Sequence, residues 1–318
     1  MELRLKSLLA GLVIAATLMF SGCGGDDSYY YYVPPPPPPG PITEAIAFMA
    51  YPDNSFEVWG MKADGSNKTW LAFIAGGRAI QGVFSPDGRK LLFVKQDAIS
   101  SQIIEKDLLS GALTVLVSDP TSSNNAFAPF YSPDGTKIAY HDDRNGIHVM
   151  NSDGTIDLPL SNTTSADTTP SWNSSGTKIV FVRGWPSNGS IWVMNPDGSG
   201  QIEVQASDTG NGITFWQPKF LPDGRIVCMQ QSTSLDIVIM NADGSGLVNL
   251  TPDTGTTDEF YPSVNSDGNK IAFATDRHGH QDVYVGTLAG TTLTNLVNLT
   301  GDVGFDCWRP SFGIALLP

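Results

Sequence analysis

The chain has 318 residues, 41% hydrophobic and 16% charged, with 18 basic against 32 acidic side chains and a net charge of −14. Length alone allows two ordinary domains or one large all-β unit. The acidic balance and the absence of any Lys/Arg cluster exclude a nucleic-acid partner, because a phosphate backbone would be repelled at long range. The acidic residues are dispersed through turns and polar loops, which is the pattern of charge that keeps a protein soluble and not of a binding patch.

The chain opens "MELRLKSLLAGLVIAATLMFSGC", with Arg4 and Lys6 ahead of an apolar run from Leu8 to Phe20. This is an export signal over residues 1–22, since the run is short of the ~20 residues a spanning helix needs. Its end, "FSGC", resembles the bacterial lipoprotein box at Ser21, Gly22 and Cys23, and departs from it at Phe20, where Leu is usual. The resemblance implies lipid attachment at Cys23, and Gly24 in place of Asp after it implies the outer membrane, with the body at the periplasmic face or the cell surface. Residues 23–44 then form a Tyr/Pro-rich tether. Its six consecutive prolines favour polyproline II at ~3.1 Å per residue, a stiff spacer of roughly 20 Å. A proline-rich ligand for an aromatic-lined groove is the alternative.

From residue 45 to 318 the sequence repeats. Six apolar runs stand in register: "AIAFMA", "KLLFV", "KIAY", "KIVFV", "RIVCM" and "KIAFAT". All but the first follow a version of one turn, "SPDG", "SPDG", "NSSG", "LPDG" or "NSDG". The turn glycines Gly88, Gly135, Gly176, Gly224 and Gly268 are 47, 41, 48 and 44 residues apart. A second, alternating strand follows each run, as in "IHVMN" and "IWVMN", and a further Asp-Gly turn closes it in four copies. A last short strand ends the unit, twice as "LVNLT", and another strand precedes each first turn, marked by Phe84, Tyr131, Trp172, Phe220 or Val264. Four short antiparallel strands in about 45 residues, repeated, predict an all-β fold, a β-propeller.

The ends predict how the ring closes. The first unit has no turn or strand before "AIAFMA", and the chain finishes with "RPSFG", which matches "TPSW" and "YPSV". The C-terminal strand is therefore expected to complete the first blade. The phrases "YSPDGTKIAY", "IWVMNPDGSG" and "YPSVNSDGNKIAFATDRHGHQDVY" resemble the repeat of the TolB-like propellers, a six-bladed family that includes the periplasmic TolB protein of the Tol-Pal envelope system. TolB itself carries an N-terminal α/β domain where this sequence has the lipid box and tether. The resemblance implies six four-stranded blades.

Of the cysteines, Cys228 lies in an apolar strand and Cys307 in a loop before the last strand. A disulfide is allowed, and two unpaired, mostly buried thiols are the expected state. No G-x-S-x-G elbow, phosphate loop or H-E-x-x-H motif occurs. "SGTK" (175–178) spans a hairpin and does not form a Ser/Lys pair, "HGH" (278–280) lacks a third metal ligand, and His141 and His148 read as ordinary polar residues. No catalytic residue, metal or cofactor is assigned.

The Asp-Gly turns fall on one rim, so the irregular loops gather on the other, where binding usually resides. The channel mouth there is framed by Gln81, Phe127, Thr169, Trp216, Gln217, Phe260, Tyr261, Trp308 and Arg309. Aromatics with amides and one Arg suit a peptide or sugar. The expectation is a lipid-anchored, non-enzymatic monomer that binds a protein or envelope component, touching the membrane through its N-terminus. The alternative is an envelope glycan lyase or hydrolase with its active site at the same mouth.

Overall fold

The computed structural model describes residues 42–317 apart from 99, 119–124, 144–145, 162–165 and 253–256. The export signal, the lipidation site Cys23 and the tether up to residue 41 lie outside the described residues. Six antiparallel sheets of four strands make up the rest, each sheet a blade packed between two others.

In blade 2 the strands run outward from Arg78–Phe84 through Lys90–Gln96 and Ser101–Asp107 to Leu113–Val117. Blades 3 to 6 repeat this order from innermost strands Ala126–Tyr131, Asp167–Trp172, Thr214–Phe220 and Glu259–Val264. Blade 1 takes its innermost strand from the C-terminus: Cys307–Ala315 pairs with Thr43–Ala50, from Thr43 opposite Ala315 to Ala50 opposite Cys307. The ring closes as "RPSFG" implies, and the first strand starts at Thr43, two residues ahead of the apolar run. Cys307, expected in a loop, is instead the first residue of the closing strand.

The propeller has no single core. Six apolar layers separate the blades, one for each neighbouring pair. This explains why "KIAY" shows no polar alternation. Ile138 and Tyr140 pack with Leu92 and Ile103 of blade 2, whereas Ala139 packs with Ile179 and Phe181 of blade 4. Side chains do alternate, but between two dry layers instead of between core and water. Each large side chain withdrawn from water contributes about 1.5–3 kcal/mol. Cys228 lies in the layer between blades 4 and 5 and Cys307 in that between blades 6 and 1, so the two cannot meet and both are free. Burial pushes both thiols up, Cys307 to about 12, so they stay protonated.

The repeated turn is a corner built from its own side chains. In "YSPDGTKIAY" the Gly135 N–H donates to the Ser132 carbonyl at 2.9 Å. Asp134 Oδ1 accepts from Ser132 Oγ at 2.6 Å and from the Thr136 N–H at 3.0 Å, while Ser132 Oγ accepts the Lys137 N–H at 2.9 Å. In "NSSG", Asn173 Oδ1 takes over as acceptor for Thr177 N–H at 2.8 Å and Lys178 N–H at 2.9 Å. The carboxylate is thus one of several ways to hold the turn.

The second set of Asp-Gly turns joins blade to blade. Gly154, Gly198 and Gly244 lie against the outer edge of the preceding blade. A Cβ there would fall 3.1 Å from the Leu116 carbonyl oxygen and 2.7 Å from that of Leu160, and at Gly244 would overlap that of Val204. Gly65 faces Leu299 of blade 6 in the same way, which carries the contact across the closure. Gly224, in a turn of the first set, also has positive φ (+90°) but faces open space. Gly224→Ala should therefore cost only the left-handed backbone term, about 1 kcal/mol. Gly244→Ala adds the overlap with Val204 and should cost roughly 2 kcal/mol more. Thermal melts of the two variants compare them directly; equal losses would show that this turn does not join the blades.

Candidate binding site in the channel

All six innermost strands break register at the same point. One residue of each stands at positive φ: Gln81 at 60°, Ala128 at 48°, Thr169, Gln217 and Arg309 at 53°, 53° and 51°, and Tyr261 at 54°. Pairing skips there, between Ile80 and Val83 in blade 2 and between Trp216 and Lys219 in blade 5. A bulge leaves one residue without a ladder partner, so the next needs no N–H. That residue is Pro in five strands (Pro129, Pro170, Pro218, Pro262, Pro310) and Gly82 in the sixth. The left-handed residue costs about 1–3 kcal/mol and persists because the ring holds it. Its side chain lines the channel, and so does the residue two positions on: Val83, Phe130, Ser171, Lys219, Ser263 or Ser311.

The channel widens at both ends. On the rim of the first Asp-Gly turns a cavity of about 370 Å³ is walled by Pro86, Pro133, Trp172, Pro222 and Phe312, with Lys219 at its inner end. A waist of about 60 Å³ follows. On the opposite rim the mouth is a cavity of about 630 Å³. Gln81, Phe127, Thr169, Gln217, Tyr261, Trp308 and Arg309 line that mouth. Trp216 and Phe260 do not line it and pack against the layer between blades 5 and 6, and a Cβ on Gly189 of blade 4 would fall 2.8 Å from the Trp216 indole.

Several mouth residues come from positions that motif reasoning passes over: Phe56, Arg78, His141, Asp142 and Trp185. Trp308 meets Phe56 edge-on at 5.8 Å, Arg78 lies 4.4 Å over the same ring, and Arg309 stacks 4.3 Å over Tyr261. The Gln81 amide is fixed by the Ala128 N–H, which donates to its Oε1 at 2.6 Å. Asp167 is clamped by Arg183 through two hydrogen bonds of 2.8 Å. His141 is neutral at the mouth: burial, aided by the nearby Arg309 charge, holds its pKa at about 4.

Behind the mouth, His148 bridges two carboxylates. Its Nδ1 is 3.1 Å from Asp157 and its Nε2 3.3 Å from Asp142, while Tyr140 donates to the other oxygen of Asp157 at 2.5 Å. The other histidines have local partners, His278 with the Tyr284 hydroxyl at 2.9 Å and His280 with Asp282 at 3.4 Å. Among the described residues no group of three His, Cys, Asp or Glu is placed to hold a metal ion. In "SGTK", Ser175 Oγ bonds Thr177 at 2.8 Å and Lys178 donates to Asn195 at 2.7 Å, so the two side chains serve different contacts.

A family model, TolB beta propeller domain, matches residues 40–312. The chain belongs to the TolB β-propeller family. It is 28% identical over 151 residues to a protein TolB homolog of Chlorobium luteolum, a match that covers 46% of this chain and 32% of the relative. The chain thus matches about a third of that relative's length. Among solved structures, TolB from Acinetobacter baumannii superposes with a TM-score of 0.70 at 15% identity over 85% of this chain and 66% of that one. A putative TolB from Agrobacterium tumefaciens gives 0.63 at 17% identity, over 88% and 100%. These likenesses show the fold.

The His148 network makes stability depend on pH. Burial alone would lower the imidazole's pKa, but the hydrogen bonds and charges of Asp142 and Asp157 outweigh it and hold the proton up to about 9, against 6.5 for a solvated histidine. The contribution is complete below about pH 6.5 and is lost as pH rises through about 9. With Asp157 partly exposed and screened, the loss should be roughly 1–2 kcal/mol. Denaturant melts between pH 6.5 and 9 should show this decline in the native protein and a flatter profile in His148→Gln.

Proposed function

We propose that the protein is a lipid-anchored, extracytoplasmic binding protein. Its propeller holds a protein or envelope component at the channel mouth opposite the Asp-Gly turns. The observation that carries this reading is the mouth itself: a cavity of about 630 Å³ in which rigid aromatic rings stand beside two arginines and three glutamine amides. Aromatic and Arg anchors in a concave, partly desolvated site are the residues that dominate recognition. The membership of the TolB family supports a bacterial envelope setting. The lipoprotein box supports an outer-membrane anchor at Cys23, and the closed ring buries its own edges without a second copy. The carboxylates that line the mouth most deeply are already engaged, Asp167 by Arg183 and Asp142 by His148, and this favours binding over acid–base catalysis.

The test is capture from crosslinked envelope. Replacing Trp185, which is half exposed, by Ala should reduce recovery of the partner at least tenfold with the melting curve unchanged. Unaltered recovery would refute the mouth as the site, and turnover on a panel of glycans would establish the lyase or hydrolase reading in its place. For the anchor, Cys23→Ser should release the protein from the membrane fraction; a variant that stays membrane-bound refutes lipidation.

A further inference from the structure

The interior of the channel carries a charge opposite to that of the whole protein. In a chain with net charge −14, the two cationic side chains at the waist are Lys219 and Arg309. Among the described residues neither is paired with a carboxylate. Arg309 approaches the Tyr261 hydroxyl at 3.5 Å and stacks on that ring, and the Lys219 ammonium lies 4.1 Å over the Phe130 ring. Ser311, 7% exposed, lines the same waist, and its hydroxyl has no hydrogen-bond partner. The neighbouring Ser263 hydroxyl, by contrast, accepts the Phe312 N–H at 2.8 Å.

Two half-buried positive groups and a buried free hydroxyl brought together without a counter-charge form an arrangement that folding alone does not favour. Burial, with the Arg309 charge, lowers the Lys219 pKa to about 8, a sign of how poorly the site solvates its own cation. Acidic groups do face the channel, but they are engaged elsewhere, Asp143 at the mouth by the Asn125 amide, which donates to it at 2.9 Å. Asp167 is held by Arg183, Asp142 lies by His148, and Glu44 at the turn-side cavity pairs with Lys270 at 2.8 Å. Nor does the repeat require the lysine. The position holds Val83, Phe130, Ser171, Ser263 and Ser311 in the other five strands. At about 60 Å³ the waist has room for a carboxylate or phosphate head but not for a sugar ring.

We propose that the waist is an oxyanion subsite, in which Lys219 and Arg309 clamp an anionic group of the ligand and the Ser311 hydroxyl supplies a third donor. The inference rests on the channel mouth being the binding site and names the chemistry it reads at depth: a ligand that enters from the mouth carries an anionic end. Charge-assisted hydrogen bonds of this kind are the strong ones, and a low-dielectric channel strengthens them further.

The test is titration of the full chain in detergent with glutarate and, separately, inorganic phosphate, at an ionic strength held constant with sodium chloride. Calorimetry should show saturable binding at one site, with the tighter of the two anions assigning carboxylate or phosphate as the preferred source. Affinity should fall at least tenfold in Lys219→Met, Lys219→Gln and Arg309→Met and stay unchanged in Lys68→Met, whose ammonium pairs with Asp302 away from the channel. The anion should raise the Tm of the native protein and not that of Lys219→Met. In anion-free buffer Lys219→Met should melt no lower than the native protein, since it removes an unpaired, half-buried charge. Absence of saturable binding for both anions, or binding that survives both Lys219 variants, overturns the proposal. Intact partner capture beside absent anion binding would overturn the subsite alone.

Discussion

Every blade of this protein is apolar on both faces, and a sheet of that kind is stable only between two others. The rest of the structure depends on this. No blade can stand at an end, so the row must close on itself, and the closure is made by pairing Cys307–Ala315 with Thr43–Ala50. The Glu44–Lys270 ion pair and the layer of Ile46, Phe48, Ala272 and Val283 then complete the sixth interface. The contacts that finish blade 1 join residues more than 250 positions apart. Such pairing carries the largest loop-closure entropy in the chain.

Closure also dictates the channel. Six innermost strands converge on one axis, and each meets the crowding with a bulge at the same place, where a residue at positive φ precedes Pro or Gly. The shared bulge sets two rings of side chains along the axis. One ring holds Gln81, Gln217, Tyr261 and Arg309, and the other holds Lys219 and the serines. The backbone repeats six times while the side chains do not. Individuality is thus confined to a frame that the packing has already fixed.

How much of this could be read beforehand follows from where each signal is local. The turns were legible because Ser132, Asp134 and Gly135 satisfy one another within five residues, and closure was legible because "RPSF" repeats "TPSW". The mouth was legible only in part. Trp216 and Phe260 precede Gln217 and Tyr261 by one residue, and the bulge turns Trp216 toward a neighbouring blade and Gln217 into the channel, while Phe260 stays in the layer between blades 5 and 6 and Tyr261 reaches from that layer into the channel. Phe127 and Trp308 occupy the same register and reach the cavity because they pack around Met49, Ile80 and Val94 beside it. Phe56, His141 and Trp185 lie at strand ends and in loops where no periodicity exists to place them. Lys219 did leave a trace, as a charged residue where the other repeats have Val, Phe or Ser.

The prolines at the bulges have one more consequence. The innermost strand of a blade is a sheet edge, and such an edge would ordinarily offer its N–H and C=O groups to any extended peptide that came near. Here five of the six edges facing the axis lose a donor at the waist and kink where a guest strand would have to lie flat. The channel is closed to β-augmentation, in the way natural sheets protect their edges. Whatever enters must be recognised by its side chains and its charge, one end first, and not by its backbone.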